Sequence, residues 1–251
     1  MTDRMRPGAP WVATAAALAA VVLGAAAAQA DDTAPAKQDP KASGSPAEPE
    51  GGPRRRAYAN PPDSNVGTLP PGTGVAVGEQ APDAAVRDAD GREVRLRDLA
   101  RTGPVLLVFY RGGWCPYCSS QIHELTTAYP EYKKRGVTPV AISVDRVEES
   151  AKTQATYAIP FPVLSDPDLA AHRTYRVLHQ VDEAEFARLK GFGIDLEKAS
   201  GNSHHVIAVP SLFVIDGKGV VRWAHADPDY KVRPSTVQVL AAIDGLKLGQ
   251  P

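Results

Sequence analysis

The chain has 251 residues, which leaves room for one ordinary domain plus appendages. Its 28 Lys and Arg offset 29 Asp and Glu, and a formal net charge of -1 gives no whole-molecule field for a polyanion, which argues against nucleic acid as a partner. The only two cysteines are Cys115 and Cys118, so a multi-bridge disulfide scaffold is excluded and stability must come from a hydrophobic core.

Residues 1–30 read as an export signal: Arg4 and Arg6 make a positive start, residues 11–28 are an apolar run, and Ala28-Gln29-Ala30 offers a cleavage site before Asp31. The run is close to the roughly 20 residues of a membrane-spanning helix, so an uncleaved anchor is the alternative, and membrane contact is expected only in that case. Either way the remainder is expected outside the cytoplasm, periplasmic or secreted. Residues 31–74 are mostly Ala, Pro, Gly, Ser and charged residues, too poor in large apolar side chains to offset their ordering entropy, and read as a disordered linker. The triplet Arg54-Arg55-Arg56 within it is assigned no function.

Residues 75–251 carry the pattern of a folded domain. Residues 84–87 and 93–96 flank Asp88-Ala89-Asp90-Gly91 and predict an N-terminal hairpin. Residues 104–110 are a continuous apolar run of the kind that sits in the middle of a sheet covered on both faces. Beyond the cysteines, Ile122, Leu125 and Tyr129 recur at helical spacing, so one helix is expected from the motif to about Lys134, ended by Gly136. Residues 137–144 predict a second buried strand parallel to the first, followed by a helix over 146–157. A short strand at 161–164 and a helix at 168–175 come next. Residues 176–204 read as an insertion with a helix near 182–190 and a polar loop over 199–203. Residues 211–215 and 220–225 form a hairpin about Asp216-Gly217-Lys218-Gly219, and a helix over 234–246 closes the chain.

The chemistry resides in Trp114-Cys115-Pro116-Tyr117-Cys118. A free thiol is mostly protonated at neutral pH, but Cys115 at a helix start meets unpaired backbone N–H groups and the positive end of the helix dipole, which predicts a lowered pKa and the attacking role. Cys118, one turn later, is expected to point inward and to resolve the reaction by closing a disulfide. Trp114, Pro116 and Tyr117 would rim the attacking sulfur. Zinc is not expected, since one Cys-x-x-Cys supplies two of the usual four ligands.

The order of elements, with Gly78-Glu79-Gln80-Ala81-Pro82-Asp83, the run Leu107-Val108-Phe109-Tyr110-Arg111-Gly112-Gly113-Trp114-Cys115, and Phe161-Pro162-Val163-Leu164-Ser165-Asp166, resembles the alkyl hydroperoxide reductase and thiol-specific antioxidant branch of the thioredoxin superfamily, in its peroxiredoxin-like form with a Cys-Pro-Tyr-Cys motif. The resemblance implies an α/β thioredoxin-like fold, a central mixed sheet flanked by helices, with an insertion before a cis-proline hairpin. It places Val209 and Pro210 beside the cysteines, with Pro210 cis and available to pair a substrate strand. It also suggests Arg233 as an arginine near the site; Arg111, two glycines before Trp114, is read from its position alone as an electrostatic helper or an exposed loop arginine. Two positions depart from the pattern: Gly112 stands where peroxiredoxins carry a hydroxyl, and Val108 where thioredoxins bury an acid, so another proton acceptor is needed. The implied activity is a thiol-dependent oxidoreductase that needs no cofactor. It would accept electrons from a thiol protein or small thiol and pass them to a hydroperoxide or to a protein disulfide. His204 and His205 lie just upstream of Pro210, and raise a third reading, a copper-binding chaperone.

Overall fold

The computed structural model describes residues 61, 63–246 and 248; the expected export signal and the linker up to residue 60 lie outside the described residues. The first elements are β1 (Ala85–Arg87) and β2 (Glu93–Arg95), antiparallel through Val86 and Val94 as the turn signal predicts. Asp88 Oδ1 accepts from the backbone N–H groups of Asp90 and Arg92, and Gly91 supplies the left-handed conformation (φ +80°). Next come α1 (Leu96–Arg101) and β3 (Val105–Phe109), whose five residues are all buried.

The helix after the cysteines is two helices, α2 (Pro116–Thr127) and α3 (Tyr129–Lys134), divided at Ala128. Pro130 is the reason: it lacks an N–H for the ladder and fits only in a first turn, so the helix must restart around it. Then follow β4 (Thr138–Ser143), α4 (Val147–Thr156), β5 (Val163–Ser165) and α5 (Ala170–Thr174). The insertion holds β6 (Leu178–Gln180), α6 (Glu183–Gly191), α7 (Leu196–Ser200) and β7 (Val206–Ala208), with β6 and β7 paired antiparallel as a separate ribbon. The expected polar loop is therefore partly helical, and begins at Gly201, the left-handed cap of α7. The chain ends in β8 (Ser211–Ile215), β9 (Val221–Ala226) and α8 (Thr236–Leu246).

Seven strands form one mixed sheet in the order β2-β1-β5-β4-β3-β8-β9. β3 is parallel to β4 (Phe109 opposite Ile142) and antiparallel to β8, so the expected thioredoxin-like α/β fold is present. Side chains of β3 alternate between two cores: Val105, Leu107 and Phe109 pack with Tyr175 and Phe213, whereas Leu106, Val108 and Tyr110 pack with the cysteines and Ile122.

Two expectations need correction here. The disordered linker does not extend to residue 74: Asp63 and Val75 are buried, Thr68 O accepts from Ala226 N–H at 3.0 Å, and Leu69 packs on the core. A polar composition with many turn formers can be held by a neighbouring sheet edge and a few buried groups, which composition alone does not reveal. Nor is Pro210 cis, since no cis peptide bond occurs among the described residues. Trans is the lower-energy form of an X–Pro bond, and here Val209 N–H donates to Val177 O at 2.8 Å with its own O receiving the Ser211 hydroxyl, contacts made with the trans bond in place.

Candidate active site

Because β3 and β4 run parallel, their carboxyl ends emerge on one side of the sheet, the side where α/β folds place their chemistry. The loop 111–114 leaves β3 there, and Asp145 follows β4 by two residues. Asp145 Oδ2 accepts the Gly113 N–H at 2.8 Å, tying the two strand ends together. Glycine is required twice in this loop. A Cβ on Gly112 would strike the indole nitrogen of Trp114 and come within 2.8 Å of Asp145 Oδ1, and one on Gly113 would strike the Thr153 hydroxyl.

Cys115 is the N-cap of α2, with extended backbone (φ −88°, ψ 117°) and Pro116 at the first helical position, where its missing N–H costs nothing. Cys118 follows one turn later. Both are free thiols, and each is only 1% exposed. This corrects the expected asymmetry, in which Cys115 met solvent and Cys118 alone was buried. Trp114 and Tyr117 are half-buried and pack against the cluster that holds both cysteines, and Pro116 is exposed.

The charge also falls on the other sulfur. Burial disfavours a Cys118 thiolate, yet the hydrogen bond from Cys115, the Arg233 guanidinium and the backbone N–H of Arg111 outweigh it, and its pKa is lowered to about 6. Arg233 Nη2 stands 3.6 Å from Cys118 Sγ and Nη1 donates to Gln121 Oε1 at 3.4 Å. Cys115 is raised, first by the hydrogen bond it gives to Cys118 and then by burial; the helix N–H it receives from Cys118 does not compensate. A full cation at contact outweighs the fractional charge of a helix terminus, which serves both sulfurs in the same first turn.

Sequence reasoning missed Asp145, the group that can supply the absent buried acid. It is 1% exposed, and burial above all raises its pKa to about 7, assisted by the charge of Cys118 and opposed by the Gly113 N–H and Ser143. Its Oδ1 and the Trp114 indole N–H are buried without hydrogen-bond partners on either side of Gly112. The signal was available in Ser143-Val144-Asp145, an acid just past the end of a buried strand, but nothing in its spacing joins it to the cysteines.

Arg111 is at the site but faces sideways. Its Nη2 pairs with Glu185 of α6 at 2.8 Å, and its guanidinium lies 4.1 Å over the Tyr230 ring and 5.6 Å from that of Trp114. Tyr230 in turn meets Tyr117 edge to face at 5.5 Å. Val209 and Pro210 line a cavity of about 200 Å³ with Arg111, Glu185 and Tyr230, and no residue of the Trp114–Cys118 motif lines it. A larger cavity, about 320 Å³, lies over Leu96, Ala100 and Tyr175, on the sheet face opposite the cysteines. His204 and His205 are turned elsewhere: His204 Nε2 contacts Pro167 O at 3.1 Å, and His205 stacks on Phe186 and meets Glu197 at 2.8 Å. Among the described residues no group of three His, Cys, Asp or Glu is arranged to hold a metal ion.

Comparison with known proteins bears on the family and the fold. The family model for the AhpC/TSA family matches residues 77–224. The thiol-disulfide oxidoreductase ResA of Bacillus cereus is 34% identical over 102 residues, covering 40% of this chain and 58% of that protein. A putative chloroplastic peroxiredoxin Q of Oryza sativa subsp. indica is 34% identical over 92 residues, 37% of this chain and 42% of that one. The chain thus matches less than two thirds of the length of these relatives. Among solved structures, the peroxidoxin BcpB of Mycobacterium tuberculosis superposes with a TM-score of 0.54 at 20% identity, covering 70% of this chain and 98% of that one. Reduced Prx3 of Vibrio vulnificus gives 0.56 at 15% identity, covering 67% and 99%. These superpositions speak for the fold.

Proposed function

Since the chain belongs to the AhpC/TSA family, we propose that it is an exported, thiol-dependent peroxidase that reduces hydroperoxides with the Cys115/Cys118 pair. The observation that carries this reading is a buried dithiol with a guanidinium 3.6 Å from one sulfur: each cysteine is 1% exposed, so a small oxidant needs less opening of the site than a folded protein's disulfide does. The Cys118 thiolate attacks the terminal oxygen of the peroxide. The O–O bond breaks, Cys118 becomes a sulfenic acid, and the alkoxide leaves as the alcohol after taking a proton. Asp145 is the proton store for that step. The charge on Cys118 helps to hold its proton, so consuming that charge releases it beside the leaving group. Cys115 then gives up its own proton and attacks the Cys118 sulfur, expelling hydroxide as water and closing the disulfide. An external thiol, small or protein-borne, returns the two electrons.

These roles reverse the sequence-based assignment of Cys115 as attacker, because the cation lies on Cys118. The kinship with a thiol-disulfide oxidoreductase over 102 residues favours a second reading, exchange with protein disulfides. Export rests on Arg4, Arg6, the apolar run at 11–28 and Ala28-Gln29-Ala30. Stopped-flow mixing of the reduced protein with hydrogen peroxide, an organic hydroperoxide and a model protein disulfide separates the two. The peroxidase reading expects fast thiol oxidation by a peroxide and slow exchange; the reverse order establishes the second reading.

A further inference from the structure

Arg233 is delivered to Cys118 by a loop between β9 and α8, and that loop has no regular structure of its own for most of its length. What fixes it is Pro61 with the segment 63–69, which lie far away in sequence. Asp63 N–H donates to Arg233 O at 3.2 Å and Arg233 N–H donates to Pro61 O at 3.3 Å, a reciprocal pair that clamps the backbone of the very residue carrying the guanidinium. Gln238 of α8 holds the strap from the other side, its Nε2 donating to Asp63 O at 2.9 Å. The anchor is a buried pair: Asp63 and His225 of β9 are 2% and 1% exposed, with Asp63 Oδ2 at 2.8 Å from His225 Nε2. Farther along, Ala226 N–H donates to Thr68 O, and Gly67 packs so close to the Trp223 indole that a Cβ there would come within 2.9 Å of its nitrogen.

A pair of polar side chains this deeply buried is a costly way to attach a linker, since both must give up water and the loss of either strands the other. We propose that Pro61 and residues 63–69 are a strap belonging to the redox site, and that Asp63 is a positioning residue which, through His225 and the backbone of Arg233, holds the guanidinium against Cys118. This rests on the peroxidase reading only for its consequence in turnover; the placement of Arg233 is a property of the reduced protein alone. The groups that face Cys118 are Cys115, Arg233, Arg111 through both its backbone N–H and its charge, Asp145 and Tyr110, and those that face His225 are Asp63, Asp227 and Arg233. Arg233 alone is common to both sets.

The sign of one titration decides the matter. Removing the Asp63 carboxylate deletes a negative charge, which acting through space would make Cys118 easier to ionise. Releasing Arg233 makes it harder. The test uses the full chain with Cys115→Ser, so that Cys118 is the only thiol, and follows thiolate absorbance in the ultraviolet against pH, with thermal unfolding in parallel. Asp63→Ala is expected to move the Cys118 midpoint upward, reducing the thiolate-to-thiol ratio at neutral pH by about three- to tenfold. In an Arg233→Met background the upward shift should vanish, leaving at most a small downward shift from the lost charge, although the substitution still lowers the unfolding temperature. A downward shift or no shift with Arg233 present, or an upward shift that persists without it, overturns the proposal. Should Asp63→Ala not fold, Gln238→Met loosens the strap without changing any charge, and the same upward, Arg233-dependent shift is required of it. A strap that passes this test in a protein that fails to reduce peroxides would leave the positioning role standing and remove only the peroxidase reading.

Discussion

Replacing Arg233 with Met keeps a long apolar side chain in a buried position and removes the cation from Cys118. At 3.6 Å and an effective dielectric of about 20, the gross attraction between the guanidinium and a thiolate is about 4 to 5 kcal/mol. The net effect on ionisation is smaller, because an opposite charge within a few ångströms typically moves a pKa by about 1 to 3 units, at about 1.4 kcal/mol each. The lower half of that range applies, since the Cys115 hydrogen bond and the Arg111 N–H both remain. Starting from a pKa of about 6, the midpoint should rise to about 7 to 8, and the thiolate at pH 7 should fall from about nine tenths to between about a half and a tenth. Peroxide consumption at pH 7 should fall by the same factor of about two to ten, and most of it should return by about pH 9. Linkage gives a second readout. A thiol held below its unfolded pKa contributes stability that is present above about pH 8.5 and lost as pH falls through about 6, so the variant should lose stability chiefly at the alkaline end. An unchanged midpoint in Arg233→Met would refute the claim that this cation sets the charge on Cys118.

Asp145, with a folded pKa of about 7, binds a proton more tightly than in the unfolded chain, so its contribution to stability is present below about pH 4 and declines as pH rises through 7, by up to about 4 kcal/mol. Thermal unfolding of Asp145→Asn between pH 4 and 5, below the range where Cys118 titrates, should show a flatter pH dependence than the parent; parallel curves would mean that Asp145 has no raised pKa. Gly113→Ala forces a Cβ onto the Thr153 hydroxyl beside the N–H that holds Asp145, and should cost about 1 to 3 kcal/mol in chemical denaturation, with peroxide turnover falling as well. The exported protein should begin at or near Asp31 by intact mass; recovery of the full-length chain in membranes would establish the anchor instead.

The sheet was legible because its central strands are continuous apolar runs: residues 104–110 and 137–144 sit at β3 and β4, and Gly or Asp clusters mark both hairpins. The ribbon β6–β7 was not, since Leu178, His179 and Gln180 are all exposed and carry no alternation to read. The dithiol announced itself by spacing, but its burial and the sign of its electrostatics did not. Those depend on Arg233 and Asp145, which reach Cys118 from 115 and 27 positions away in the sequence through strand order and loop packing. The strap shows the converse case. Pro61 and residues 63–69 look like linker because their anchors are single polar residues, Asp63 above all, whose partner His225 lies on the far side of the chain's length.

The assignment of charge to Cys118 is tested most directly by one exposure of the reduced Cys115→Ser protein to a single equivalent of hydrogen peroxide, with a sulfenic-acid trap present and the adduct located by mass spectrometry. The account predicts rapid labelling of Cys118 in that variant and slower reaction of Cys118→Ser, whose Cys115 loses the rise imposed by Cys118 but is still held up by burial, with the Arg233 guanidinium placed at position 118. An inert Cys115→Ser protein, with a labelled Cys115 in Cys118→Ser, would contradict it and return the attacking role to the helix N-cap.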